Sequence, residues 1–265
     1  MEIYSTQDHS TPTYVRNTAC WAYGLDLTCI SPWNSQYEEV RAGVLISPRH
    51  IAYSAHGAIA NGTTFRFIAA DGTVVTRTML ASANHPDYAP SYPDIAIGVL
   101  DSDVPASITF AKILPSNWRD YLHPYRVVAG AHVLWLAGEG QYKINGIPIA
   151  YLDQEEKILV ADGYIMTVPP TESSQAIVSA VEPIDATRAS FYETIVGNDS
   201  NNPMFVIIDD ELVLLSTVTS VGPLGSNYNY FKADINAMMT ALDVAVGDVT
   251  GYQLTEIDLS GFQKV

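Results

Sequence analysis

Three residues of this chain have the types and settings needed to move a proton and to form a covalent bond: His56, Asp94 and Ser200. His56 closes the segment Gly43 to Gly57, in which two strand-like runs flank the turn Ser47-Pro48-Arg49 and deliver the imidazole at a strand end beside small residues. Asp94 opens the apolar run Ile95 to Leu100. Ser200 sits in the polar turn Gly197-Asn198-Asp199-Ser200-Asn201-Asn202-Pro203, directly before the apolar run Met204 to Ile208. A serine hydroxyl is a poor nucleophile unless a base takes its proton. An imidazole can be that base, and a carboxylate on its far nitrogen fixes the tautomer that accepts the proton. Taken singly, each setting is ordinary: strand ends carry structural histidines, and Asp and Ser are common in turns. The combination His, Asp, Ser, at separations of 38 and 106 residues, is what points to chemistry.

Other chemistries find little support. The six histidines (positions 9, 50, 56, 85, 123 and 132) show no H-E-x-x-H spacing, so no metal site is expected. Neither a G-x-G-x-x-G pattern nor a P-loop occurs, and no cofactor is expected. The formal charge of −16 disfavours a phosphate backbone or an anionic membrane surface as partner. No run reads as a transmembrane helix, because the uncharged stretch from Leu212 to Phe231 is interrupted by Ser, Thr, Asn, Gly and Pro. Residues 1–8 carry two acids and no apolar core, so no signal peptide is visible. Cys20 and Cys29 have no companions at zinc spacing. They are either two structural thiols or a local disulfide, and the compartment decides between these.

The elements that must position the three residues are short and strand-like. Hydrophobic residues make up 48% and charged residues 16% of the 265, a composition that builds a core. Strands are expected at Gly43–Ser47, His50–Ala55, Thr64–Ala69, Thr73–Leu80, Ile95–Leu100, Val127–Leu136, Lys157–Ala161, Tyr164–Val168, Ala176–Val181, Met204–Ile208 and Leu212–Val218. Thr64-Phe65-Arg66-Phe67 alternates polar and apolar residues, and Asp71-Gly72 reads as the hairpin turn that follows. One stretch has helical spacing: Ile235, Met238, Met239 and Leu242, ended by Gly247. A short helix is also possible near Ser116 to Leu122. The class is therefore all-β with a C-terminal helix, built as barrels or a sandwich.

With these residues in view, the chain resembles the trypsin-like serine peptidases. The order His, Asp, Ser is that of the chymotrypsin arrangement. Ile46 to His50 through Ser54-Ala55-His56 looks like the family's catalytic-histidine segment, Asp94-Ile-Ala-Ile like its Asp-Ile-Ala-Leu, and Asn198 to Pro203 like its Gly-Asp-Ser-Gly-Gly-Pro. The resemblance covers about residues 38 to 245. It implies two six-stranded antiparallel β-barrels packed together: an N-terminal extension (1–37), a first barrel (38–120) with His56 and Asp94, a second barrel (121–232) with Ser200, the helix (233–248) and a tail (249–265). It also implies an oxyanion hole made by the backbone N–H groups of Asn198 and Ser200, and a substrate pocket at Thr194, Ser216 and Val218. No acid lies at the pocket base, so small or apolar side chains are the expected preference. The sequence departs from the family at Gly57, where a Cys is usual, and at Asn198, Asn201 and Asn202, where glycines are usual. Asn is one of the few residues that tolerate left-handed backbone, so the turn is expected to keep its shape. An Ile-Val-Gly-Gly-like start is missing, so activation by a freed N-terminus is not expected.

Two activities fit these expectations. One is a serine endopeptidase acting on peptide or protein substrates through an acyl-enzyme. The other is a weak or inactive trypsin-like module that serves as a structural or binding part of a larger assembly, for example a virion. A secreted or virion-borne setting suits either. Tyr252 to Leu259 alternates apolar and polar residues, so the tail either packs on its own barrel or pairs as an added strand with a protein partner, which the N-terminal extension could also meet.

Overall fold

The computed structural model describes residues 4–6, 14–20, 22–31, 42–89, 92–121, 126–128, 131–133, 135–138, 141–144, 149–154, 157–162, 165–167, 175–179, 200–208, 210–219 and 224–261. The N-terminal segment contributes a small antiparallel pair, β1 (Tyr4–Thr6) and β2 (Val15–Arg16), and then β3 (Ile30–Ser31). Next come β4 (Gly43–Leu45), β5 (His50–Tyr53), β6 (Thr64–Ile68), β7 (Val74–Asn84) and β8 (Ala96–Leu100). Strands β3 to β8 form one six-stranded sheet in the order β3-β4-β5-β8-β7-β6. Its outer strands, β3 and β6, come back against each other, so the sheet is a nearly closed barrel.

Local sequence explains how this barrel curls. In β6, Phe65 and Phe67 point into the core while Thr64 and Arg66 stay half-exposed. Gly72 takes a left-handed φ of 84° in the turn after it, and Asp71 accepts the Thr73 N–H at 2.9 Å, which fixes the hairpin. β7 is 11 residues long and serves two neighbours. It pairs with β6 through Thr78 and with β8 from Met79, across an irregularity between Met79 and Ala81. A strand bent at such an irregularity lets a sheet fold onto itself. β4, β5 and β8 are buried along their whole length, and the C-terminal helix packs over β7 and β8.

The second half begins with β9 (Lys112–Ile113) and a 3-10 turn at Trp118–Tyr121, where a short helix was expected. It continues through two hairpins, β10 (Arg126–Val128) with β11 (Ala131–Val133) and β12 (Trp135–Gly138) with β13 (Gln141–Ile144). The remaining strands are β14 (Ile149–Gln154), β15 (Lys157–Asp162), β16 (Ile165–Thr167), β17 (Gln175–Ser179), β18 (Pro203–Ile208), β19 (Glu211–Thr217) and β20 (Leu224–Ser226). They build a five-stranded sheet, β15-β14-β18-β19-β9, and a three-stranded one, β16-β17-β20. The expectation of two closed barrels is thus met by one: the described strands of the second half form separate open sheets.

Helix α1 (Lys232–Val246) follows the expected period, with Ile235, Met238, Met239 and Leu242 buried against β7 and β8, and ends at Gly247 with φ 77°. The tail packs on its own chain. Thr255 and Ile257 bond across Ile113 at 2.9 Å each, and Leu254, Ile257 and Leu259 are buried. Cys20 and Cys29 are free thiols, both buried, so of the two alternatives for them the structure holds the unbridged one. Burial pushes both thiols up from the ordinary cysteine value.

Under α1 lies a second Ser–His–Asp grouping that is sealed from solvent. Ser47 Oγ is 2.8 Å from His50 Nδ1, and His50 Nε2 faces Asp243 Oδ1 at 3.2 Å. All three are buried, which rules out contact with a substrate. Burial lowers the His50 pKa below the usual histidine value; Asp243 and the Met239 carbonyl oppose this, and Arg49 adds to it. The folded state therefore favours neutral His50, whereas the unfolded chain takes up the proton once the pH drops below about 6.5. The stabilisation is complete above that value and is lost as pH falls towards the depressed folded value. Urea midpoints measured from pH 7.5 to 5.5 should fall in the wild type and fall less steeply in His50→Gln. The difference in slope should approach, at most, about 1.4 kcal/mol per pH unit. Parallel curves would show that His50 does not titrate with unfolding.

Candidate active site

β5 ends at Tyr53, two residues earlier than the sequence suggests, because Ala55–Gly57 turns into a 3-10 helix that carries His56. Ser54 anchors the start of that turn to the second half of the molecule. Its hydroxyl reaches the Val218 carbonyl at 2.9 Å and Thr217 Oγ1 at 3.1 Å, both at the end of β19. Asp94 lies between β7 and β8 and is also held across the molecule, its N–H donating to Ser226 Oγ of β20 at 2.8 Å.

Asp94 spends both carboxylate oxygens on one residue. Oδ1 accepts the His56 backbone N–H at 2.8 Å, and Oδ2 lies 2.5 Å from His56 Nδ1. A carboxylate accepts hydrogen bonds, so the proton between the two groups sits on Nδ1 and leaves Nε2 with a free lone pair. That lone pair meets the Ser200 hydroxyl at 2.7 Å. The three differ in burial: Asp94 is 1% exposed, Ser200 is half-buried, and 34% of the His56 side chain is open. The carboxylate is shielded while the groups that would meet a substrate are reachable.

Ser200 is presented by a turn locked to the strand end opposite. The Asn201 N–H donates to the Val218 carbonyl at 3.2 Å, and the Val218 N–H returns a bond to the Asn202 carbonyl at 2.9 Å. Asn201 has φ 78°, the left-handed backbone that a glycine would adopt freely. Its carboxamide points away from solvent. Oδ1 accepts the Ser54 N–H at 3.0 Å, and Nδ2 donates to the Gly57 carbonyl at 3.1 Å.

The structure thus brings His56, Asp94 and Ser200 into one line. Ser216 and Val218 stand on the adjoining strand end, both buried. Ser216 Oγ bonds the Thr217 carbonyl at 3.1 Å and faces Gly225, whose missing side chain leaves room for it. Thr194 and Asn198 lie outside the described residues. Sequence reasoning missed Ser54, Ser226 and the Asn201 side chain as supports. A Ser two residues before the histidine was the only local hint; Ser226 is 132 positions from the Asp94 it holds. Among the described residues no cluster of His, Cys, Asp and Glu could hold a metal ion, and no helix is long and apolar enough to cross a membrane.

No protein-family model matches the chain, and no curated protein matches it. The site therefore rests on its own geometry: a serine hydroxyl, an imidazole and a buried carboxylate aligned for proton transfer.

Proposed function

We propose that the chain is a serine hydrolase of the trypsin-like type, an endopeptidase working through an acyl-enzyme. The observation that carries this reading is the 2.7 Å contact from His56 Nε2 to Ser200 Oγ, with Asp94 on the opposite ring nitrogen. The chain order of the three residues, the nearly closed barrel and the C-terminal helix support the chymotrypsin-like fold within which such a site would work.

In this reading Ser200 Oγ attacks the carbonyl carbon while its proton passes to His56 Nε2. Asp94 stabilises the imidazolium that forms. The tetrahedral oxyanion is held by backbone N–H groups, those of Asn198 and Ser200 being the family's pair. Collapse transfers the proton to the leaving amine and leaves an acyl-Ser200 ester. Water, deprotonated by His56, then hydrolyses that ester and regenerates the hydroxyl. A peptide or protein is the substrate class. The test is turnover of a peptide and of an activated ester that both disappear in Ser200→Ala. Turnover that survives in Ser200→Ala would remove Ser200 as the nucleophile, and turnover absent from the wild type would leave the chain a non-catalytic module.

A further inference from the structure

Asn201 stands where a glycine would suit the backbone, yet its side chain is fully buried and is used at both ends. Its two partners, Ser54 N–H and Gly57 C=O, bracket His56 in sequence. One carboxamide therefore spans the 3-10 turn that carries the imidazole, from the residue next to the one that carries the hydroxyl. Gly57 is the matching half of this arrangement. Its φ is not in the left-handed region, so the backbone does not require glycine there. A Cβ at position 57 would instead press into the Asn201 carboxamide, with Nδ2 at 2.7 Å. Gly57 leaves the space that Asn201 fills.

We propose that Asn201 is a positioning residue, whose carboxamide clamps the Ser54–Gly57 turn to the Ser200 turn and so sets the reach from His56 Nε2 to Ser200 Oγ. This rests on the hydrolase reading for its kinetic consequence, but the clamp itself is a property of the turn. Backbone bonds hold the nucleophile turn to Val218, and the Ser54 hydroxyl ties only the start of the histidine turn to that same strand end. Asp94 fixes the ring against its own barrel but does not reach Ser200. The carboxamide bonds both ends of the histidine turn from the residue beside Ser200. Misplacing such a pair by about 1 Å costs on the order of 10²-fold in rate.

The experiment compares wild type, Asn201→Gly, Gly57→Ala and the double variant by two readouts. The first is the rate constant for acylation of Ser200 by a fluorophosphonate, separated from the binding constant of the reagent. The second, independent of activity, is the His56 Nδ1 proton resonance. Asn201→Gly keeps the left-handed φ without strain, so it should fold, with an unfolding midpoint within about 5 °C of wild type. Its acylation rate constant should fall about 10²-fold with little change in reagent binding, and the resonance should broaden as the ring gains freedom. Gly57→Ala should show the same losses. Adding Gly57→Ala to Asn201→Gly should cost little more, since the Cβ enters the vacated space. Unchanged resonance and acylation in Asn201→Gly would overturn the clamp and leave the hydrolase reading standing. A wild type that is not acylated but whose resonance depends on Asn201 would uphold the clamp and sink the hydrolase. Independent, additive losses for Gly57→Ala and Asn201→Gly would also overturn the proposal.

Discussion

Ser200→Ala and His56→Ala are each expected to lower kcat by on the order of 10⁶, and the double variant to be hardly worse than either single one. Among the described residues the hydroxyl meets one side chain, His56 Nε2, and Nε2 meets no other donor, so removing either empties the same step. Substrate binding does not depend on the proton transfer, and KM should change little. Stability should hardly move, because Ser200 is half-buried and His56 is exposed. Steady-state rates on one peptide substrate for the four proteins check this. Losses that add in the double variant, or activity retained in Ser200→Ala, would contradict a shared step.

Asp94→Asn is expected to lower kcat by about 10⁴ with the fold intact, and the reason lies in which oxygen does what. Oδ1 accepts the His56 backbone N–H, a bond that an amide can keep only with its carbonyl oxygen. The amide NH2 is then forced to face Nδ1 from the Oδ2 position. An NH2 donates, so it demands an unprotonated Nδ1 and sends the ring proton to Nε2. A protonated Nε2 cannot accept from the Ser200 hydroxyl. The variant thus keeps shape and burial but reverses the tautomer. Kinetics on the variant should show the loss in kcat; a rate within about tenfold of wild type would mean that Asp94 does not set the tautomer.

The part of this site carried by side-chain type and order was legible before any coordinates. The residue types and their order, His then Asp then Ser, singled out His56, Asp94 and Ser200, and the structure aligns all three. The barrel strands were legible wherever burial follows a period, as in Thr64 to Phe67, and where a turn demands a particular backbone, as at Asp71-Gly72. α1 declared itself through Ile235, Met238, Met239 and Leu242. What stayed hidden depends on contacts distant in sequence. Left-handed tolerance at an Asn of the nucleophile turn could be expected from residue type, but the bond from Ser54 to the Asn201 carboxamide spans 147 positions. The end of β5 was misread because Ala55 continues an apolar run, while tertiary bonds from Ser54 to β19 turn the chain instead. The placement of the tail along Ile113 follows from pairing across the chain, to which its alternation alone is indifferent.

The most direct measurement is the mass of the full chain after incubation with a fluorophosphonate, followed by peptide mapping. A phosphonyl group forms a bond to an activated serine oxygen and fluoride leaves, while the imidazole takes the hydroxyl proton. The account predicts one adduct per chain, on Ser200, absent from Ser200→Ala and strongly slowed in His56→Ala. No adduct on the folded wild type, or one on a serine other than Ser200, would contradict it.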